Sequence, residues 1–296
     1  MIPAAKSRWV DKHPGVVVLH LLMHGFLVFL WDNPLLLCGQ LLFLLLWGMQ
    51  EKLFHPFPAI LRFGWWISFA TLLVNPLFGQ NGETFLWRGP IIPLIGRLDL
   101  TMEELGYAVI VMLRLIILLL LSVMYQRFVN HDRFLLQFAR VAPRFVLTSV
   151  LAIRLIPVLT VELNRIREIT LLRGLQPDHP SPKEKLMAHM KLFRPLLLSA
   201  LEGSWLTAET MYARGFGSGP RSIYKQENMT EQEKIGFLFI LLLFAFILFA
   251  RYNGYGNFAF FPRLSWADPY GDILFLIILY PLWAVPVYWL ARRQEN

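Results

Sequence analysis

Residues 105–125 read LGYAVIVMLRLIILLLLSVMY, and Arg114 is the single charged residue in this run of 21. A transmembrane helix needs about 20 predominantly apolar residues to cross a hydrocarbon core about 30 Å thick. The run therefore predicts a membrane-spanning helix. Insertion into a bilayer, rather than burial in a soluble core, is expected to decide the fold.

The composition of the whole chain agrees with a membrane protein. Hydrophobic residues make up 56% of the 296 residues and charged residues 16%, whereas charged residues form about a quarter of a soluble domain. We predict an all-α, polytopic membrane protein with about six transmembrane helices. Because only Asp32 and Asn33 separate the first two apolar blocks from each other, a five-span alternative stays open. The six candidate spans are residues 15–31, 34–49, 57–78, 105–125, 235–250 and 273–290.

The distribution of Lys and Arg predicts the orientation. Residues 127–234 hold 16 of the 28 basic residues, and basic loops stay in the cytoplasm. The chain is therefore predicted to consist of a membrane region with four spans (1–126), a cytoplasmic or membrane-surface segment (127–234) and a membrane region with two spans (235–296). Both termini then lie in the cytoplasm. The net charge of +8 is attributed to this topology and not to nucleic-acid binding.

Residues 145–161 are apolar enough to form a seventh span. Arg154 and Pro157 interrupt the stretch and basic residues flank it, so an amphipathic helix on the membrane surface is predicted instead.

Helix-boundary signals divide the cytoplasmic segment. One helix is predicted from about residue 145 to Arg173-Gly174, since glycine favours helix C-termini. Ser181-Pro182-Lys183-Glu184 is a capping box with proline at the first helical position. Pro195 is expected to break or kink the helix that follows, so a final helix is predicted over residues 196–213.

Leu172-Arg173-Gly174 and Ala213-Arg214-Gly215 are the most informative short segments. Arginine in the last helical turn with glycine just beyond it is what capping alone favours, so one isolated copy would be a structural feature. Two copies, each ending an amphipathic cytoplasmic helix, favour a docking role. A guanidinium at a helix tip offers a rigid fork of donors to the carboxylates and carbonyls of a partner.

These residues resemble the transmembrane T component of energy-coupling factor transporters, a class of bacterial ABC importers. The family carries two Ala-Arg-Gly motifs at the ends of cytoplasmic coupling helices. Leu172 stands here where the family prefers alanine, which predicts a contact at that tip that is looser or differently arranged. The resemblance extends over about residues 75–217. It includes Asn75-Pro76-Leu77-Phe78, Leu113-Arg114-Leu115, Arg154-Leu155-Ile156-Pro157, Arg165-Ile166-Arg167-Glu168, Arg194-Pro195-Leu196 and Ala213-Arg214-Gly215-Phe216-Gly217.

The resemblance implies a non-catalytic scaffold in the bacterial cell membrane. Its partners would be two ABC-type ATPase subunits, identical or different, one substrate-binding membrane S component and the lipid bilayer, and the S component would decide which vitamin or transition-metal ion is imported. The ATPases would contact Leu172, Arg173, Gly174, Ala213, Arg214 and Gly215. The sequence contains no phosphate-binding loop of the Gly-x-x-x-x-Gly-Lys-Ser/Thr type, so ATP hydrolysis is assigned to the partners. No cofactor is expected.

Two other functions are compatible with parts of the sequence. An intramembrane lipid-linked transferase could hold phosphates through the cytoplasmic arginines, but it would need a cluster of Asp, Glu or His at a membrane face. A self-sufficient permease would bind its own substrate.

Three polar residues within the candidate spans are the candidates for a functional site in the membrane region. Arg114 lies near the middle of its span, where a charge costs on the order of 3 kcal/mol. With no carboxylate in that span, a structural role is favoured over a catalytic one, with hydrogen bonds to backbone carbonyls at a broken helix or to the coupling helices. His20 and His24 stand one turn apart, which suits two ligands of one metal. Since no third ligand accompanies them, they are only weak candidates and no metal site is predicted.

Overall fold

The structure, a computed structural model, describes residues 8–51, 58–78, 82–92, 96–139, 141–174, 182–219 and 229–291. Its residues form two compact units, Met1–Phe134 with Asn228–Asn296, and Leu135–Glu227. Most described residues are helical. In chain order the helices are α1 (Pro14–Leu30), α2 (Pro34–Gln50), α3 (Pro58–Phe78), α4 (Met102–Phe128), α5 (His131–Gln137), α6 (Pro143–Leu172), α7 (Pro182–Ala213), α8 (Glu231–Tyr252) and α9 (Pro269–Ala291).

The first unit is a bundle of apolar helices. Each of the six predicted spans is a helix here, although residue 57, where one was predicted to start, lies outside the described residues. By length and composition α4, α6, α8 and α9 can each cross a membrane, whereas α1 and α2 have 17 residues each. The predicted all-α polytopic membrane fold is confirmed. Since α6 also meets this criterion, the surface placement of residues 145–161 stays a prediction.

Capping side chains fix where the helices of the bundle start. Asn33 accepts a hydrogen bond from the amide of Leu35 (2.9 Å), directly before the proline that opens α2. Thr101 accepts from the amide of Glu104 at the start of α4. Thr230 and Glu233 form a reciprocal capping box at the start of α8. These side chains satisfy backbone donors that a helix leaves unpaired at its first turn.

Large aromatic and aliphatic side chains fill the interior of the bundle. Trp9, Trp31, Trp283 and Phe128 are among its largest fully buried side chains. They come from a short 3-10 turn (Arg8–Asp11), the end of α1, α9 and α4 respectively. The core therefore joins elements from both ends of the chain.

Two short antiparallel hairpins accompany the helices. Strands β1 (Phe85–Ile92) and β2 (Gly96–Thr101) pair between α3 and α4, and β3 (Phe258–Ala259) pairs with β4 (Ser265–Trp266) between α8 and α9. The sequence did not predict them, because an isolated two-stranded hairpin is marginal in water. Here tertiary bonds anchor them: the guanidinium of Arg263 donates to the carboxylate of Glu83 at 2.7 Å.

The second unit is built mainly from α6 and α7, which pack against each other. The helix predicted to end at Arg173-Gly174 is α6. The separate helix predicted over residues 196–213 is wrong, since α7 continues through Pro195 from Pro182 to Ala213. A proline removes one hydrogen bond and strains one turn, and the remaining bonds of a 32-residue helix hold it together. Ser181, predicted as the cap, lies outside the described residues.

Candidate functional site

The tip of α6 is a helix end closed by a glycine. Arg173 is the cap residue, and its amide donates to the carbonyl of Ile169 (3.1 Å). Gly174 follows with φ +65° and donates to the carbonyl of Leu171 (2.9 Å). That left-handed conformation is costly for any residue with a Cβ atom. The side chain of Leu172 is 89% exposed beside the arginine.

The tip of α7 is also a helix end closed by a glycine. Gly215 has φ +77° and donates to the carbonyl of Tyr212 (2.9 Å), while the amide of Phe216 donates to the carbonyl of Met211 (3.0 Å). This pair of bonds is a Schellman motif, which satisfies the last carbonyls of a helix. The chain then turns away from the helix axis, so Arg214 lies at the end of α7.

Both tip arginines have exposed side chains. Within the described residues neither guanidinium forms an ion pair or a side-chain hydrogen bond. Exposed apolar side chains flank them, namely Leu171 and Leu172 at the first tip and Tyr212 and Phe216 at the second. A cation surrounded by exposed apolar groups suits a protein partner that offers acidic or carbonyl oxygens at the centre of an apolar contact.

Arg114 ties α4 to the turn between α1 and α2. Its guanidinium donates to the carbonyls of Val28 and Trp31, both at 3.1 Å, and to the carboxylate of Asp32 at 2.5 Å. No carboxylate was expected beside it, because Asp32 lies 82 residues earlier in the sequence. The Arg114 side chain is 17% exposed and that of Asp32 is 45% exposed. The pair thus fastens the end of α1 to the middle of α4.

A second polar junction, which sequence reasoning missed, lies next to the first. The carboxylate of Asp272, 2% exposed, accepts hydrogen bonds from the side chains of Asn33 (2.6 Å) and Trp266 (2.7 Å) and from the amide of Gly256 (2.7 Å). Three donors satisfy a buried charge that would otherwise be expensive. Asn33 and Asp272 are 239 residues apart; Asn33 directly precedes the proline that opens α2, but no local pattern pairs it with Asp272.

His20 and His24 lie on one face of α1 inside the bundle, and both are fully buried. Their ring centroids are 5.0 Å apart. The neighbouring rings are aromatic: Trp47 packs against His20, and Phe43 and Trp283 pack against His24. Across the part of the chain that the structure describes, no group of three or more His, Cys, Asp or Glu is placed to hold a metal ion.

Comparison with known proteins identifies the family. A family model described as "Cobalt transport protein" (CbiQ) matches residues 6–225. The chain is also 24% identical over 224 residues to the energy-coupling factor transporter transmembrane protein EcfT of Thermotoga maritima, an alignment that covers 72% of this chain and 78% of the relative. The family match includes α1 to α7 and the two Arg-Gly tips, and it ends before α8. The chain therefore belongs to the CbiQ family, the transmembrane T components of energy-coupling factor transporters.

Proposed function

We propose that this T component is a non-catalytic scaffold that couples ATP hydrolysis by two partner ABC-type ATPases to uptake by a separate membrane S component. The cargo would be a vitamin or a transition-metal ion. The names of the matching family and of the Thermotoga maritima relative, a cobalt transport protein and an energy-coupling factor transmembrane protein, support this class of function.

The observation that carries the proposal is the repeated helix end. Two long helices that pack on each other both finish in a solvent-exposed arginine followed by a glycine with positive φ. Each ATPase subunit would receive one tip, with Arg173 or Arg214 bonded to its carboxylates or carbonyls. Closure of the ATPase pair on ATP would then move α6 and α7 relative to each other, and that motion would pass to the S component.

The basic residues support a cytoplasmic location for these tips. Residues 127–234 hold 16 of the 28 Lys and Arg residues, as expected for a segment that stays inside. ATPases lie in the cytoplasm, where ATP is. We therefore place the chain in the bacterial cell membrane with both termini and the coupling segment on the inner side.

Copurification tests the proposal. The tagged chain is coexpressed with ABC-type ATPases and an S component from the same organism, extracted in mild detergent and analysed by native mass spectrometry. We expect one copy of the chain with two ATPase subunits and one S component, and ATP-dependent uptake by reconstituted complex. Transport by the chain alone, or turnover of a lipid-linked substrate by the chain alone, would refute the scaffold role.

A further inference from the structure

A pocket of about 600 Å³ opens on the bundle where α8 ends and α9 begins. The apolar run of α8 finishes at Ala250, and Arg251 and Asn253 follow it. The pocket therefore lies at the depth where the two helices leave the hydrocarbon core of the membrane. Its lining comes from both helices and from the turn between them, and it includes Phe249, Asn253, Tyr255, Asp268, Leu274 and Phe275.

Aromatic rings form one wall of this pocket. The ring of Phe275 lies at the centre, and that of Tyr255 stacks on it with 5.5 Å between the centroids and 26° between the planes. The ring of Phe246 packs on Phe275 at 6.2 Å. Phe249, whose side chain is 65% exposed, adds another ring. Because aromatic faces attract a cation within about 6 Å of the ring centroid, this wall suits a ligand with a positive charge.

Asp268 adds a negative charge to the same pocket. Its exposed carboxylate accepts one hydrogen bond, from the amide of Gly271 at 3.0 Å. Within the described part of the chain no basic side chain forms an ion pair with it. A carboxylate has about four lone-pair sites, so most of its capacity to accept hydrogen bonds is unused. A carboxylate beside aromatic rings is a combination that favours an ammonium group.

The remaining wall is apolar and extends toward the hydrocarbon. Phe246 lies about 10 Å farther along the axis of α8 than Asn253, and Leu274 and Ile278 line the pocket from α9. All three of these apolar side chains are exposed, on helices that are long and apolar enough to cross a membrane. A small water-soluble amine would leave this wall uncovered. A ligand that fills the pocket therefore carries an acyl chain as well as a cationic group.

We propose that the pocket binds one phospholipid with an amine headgroup, such as phosphatidylethanolamine. The ammonium group lies against Asp268 and the aromatic rings, and an acyl chain follows Phe246 and Ile278 along the helices. Since Asp268 and Asn253 are exposed, the headgroup phosphate stays in contact with water. A phospholipid without an amine would bring only its negative charge toward Asp268. The inference is independent of the proposed coupling function.

Lipid titration followed by native mass spectrometry tests the proposal. The full chain, purified and delipidated in detergent, is titrated with phosphatidylethanolamine and with phosphatidylglycerol of the same acyl chains. We expect one molecule of phosphatidylethanolamine per chain, bound about fivefold more tightly than phosphatidylglycerol. Equal affinity for the two lipids would overturn the proposal. Glycerophosphoethanolamine, the same headgroup without acyl chains, should not compete at equal concentration. Competition by it would show that the amine alone is recognised and would refute a lipid site.

Substitutions locate the lipid. Asp268→Asn keeps an oxygen for the amide of Gly271 but removes the charge, so it should lower the affinity for phosphatidylethanolamine about fivefold. Tyr255→Leu should also lower it, whereas Tyr255→Phe keeps the ring and should not. Glu231→Gln, which alters an 83% exposed carboxylate at the other end of α8, is the matched control and should bind like wild type. If folded Asp268→Asn keeps the wild-type preference for phosphatidylethanolamine, the lipid binds elsewhere and the proposal is wrong.

Discussion

Arg173 and Arg214 extend beyond their helices because a glycine with positive φ turns the chain away directly after each of them. Their side chains have no partner within the described residues, so replacing them leaves no polar group of that part of the chain without its bond. Effects of substitution on folding and on binding can therefore be separated at these two positions.

Charge reversal at the two tips should weaken ATPase capture unequally. Truncating one partner of a desolvated charge pair costs about 2 to 5 kcal/mol, so Arg214→Glu should lower ATPase affinity at least about 30-fold. Arg173→Glu should cost less, because the bulky Leu172 replaces the family's alanine there. Titration of the purified chain with labelled ATPases measures both. The control is the amount of each variant in the membrane. If the Arg173→Glu, Arg214→Glu double variant does not accumulate there, the two arginines are needed for folding and not for ATPase binding.

The buried carboxylate of Asp272 should be sensitive to loss of a single acceptor oxygen. In Asp272→Asn the new amide group faces a donor from Asn33, Trp266 or Gly256, and one bond is lost with its donor left buried, at a cost of about 1 to 3 kcal/mol. Thermal unfolding in detergent should then occur several degrees lower. Asp268→Asn is the matched control, since that exposed cap accepts one bond (3.0 Å) from Gly271. If both variants lower the unfolding temperature equally, the three hydrogen bonds of Asp272 do not stabilise the bundle more than an exposed cap does.

At the scale of elements, the helix ends depend on backbone conformation that only glycine adopts at low cost. Gly215→Ala puts a Cβ atom at φ +77°, a strain of about 1 to 2 kcal/mol. We expect amide exchange at Gly215 and Phe216 to accelerate about fivefold or more, with weaker ATPase capture. Gly203→Ala, in α7 with no heavy atom near the added Cβ, should leave both unchanged or slow the exchange. If Gly203→Ala changes amide exchange and ATPase capture as much as Gly215→Ala does, the positive φ of Gly215 is not the cause of the effect.

The sequence predicts those elements whose cause is local. A run of apolar residues long enough for a bilayer and a glycine after an arginine are short-range signals, so the six apolar helices and the end of α6 were predicted correctly. Pro195 was misjudged because a proline's local penalty competes with the hydrogen bonds of a whole 32-residue helix. Asp32 beside Arg114 and Asn33 beside Asp272 join residues 82 and 239 positions apart. No local pattern encodes such pairs.

At the scale of the whole molecule, the asymmetry of basic residues predicts which loops face the cytoplasm. On a Cys38→Ser background, which removes the one native cysteine, Asn228→Cys should react with an impermeant maleimide only from the inner side, and Asn81→Cys only from the outer side. Labelling is compared between intact cells and inverted vesicles. The opposite pattern would overturn the topology and the cytoplasmic placement of the tips.

The apolar surface of α6 has a consequence for how the protein is made. Only 6% of the 18-residue apolar stretch within α6 is buried, and on α7 the side chains of Trp205 and Tyr212 are also largely exposed. Exposed apolar patches of this extent mark chains that aggregate or are degraded when unpartnered. An orphan copy should therefore be recognised by membrane quality-control proteases. Pulse-chase labelling should show a several-fold shorter half-life without the ATPases and S component, so that partner synthesis sets its abundance.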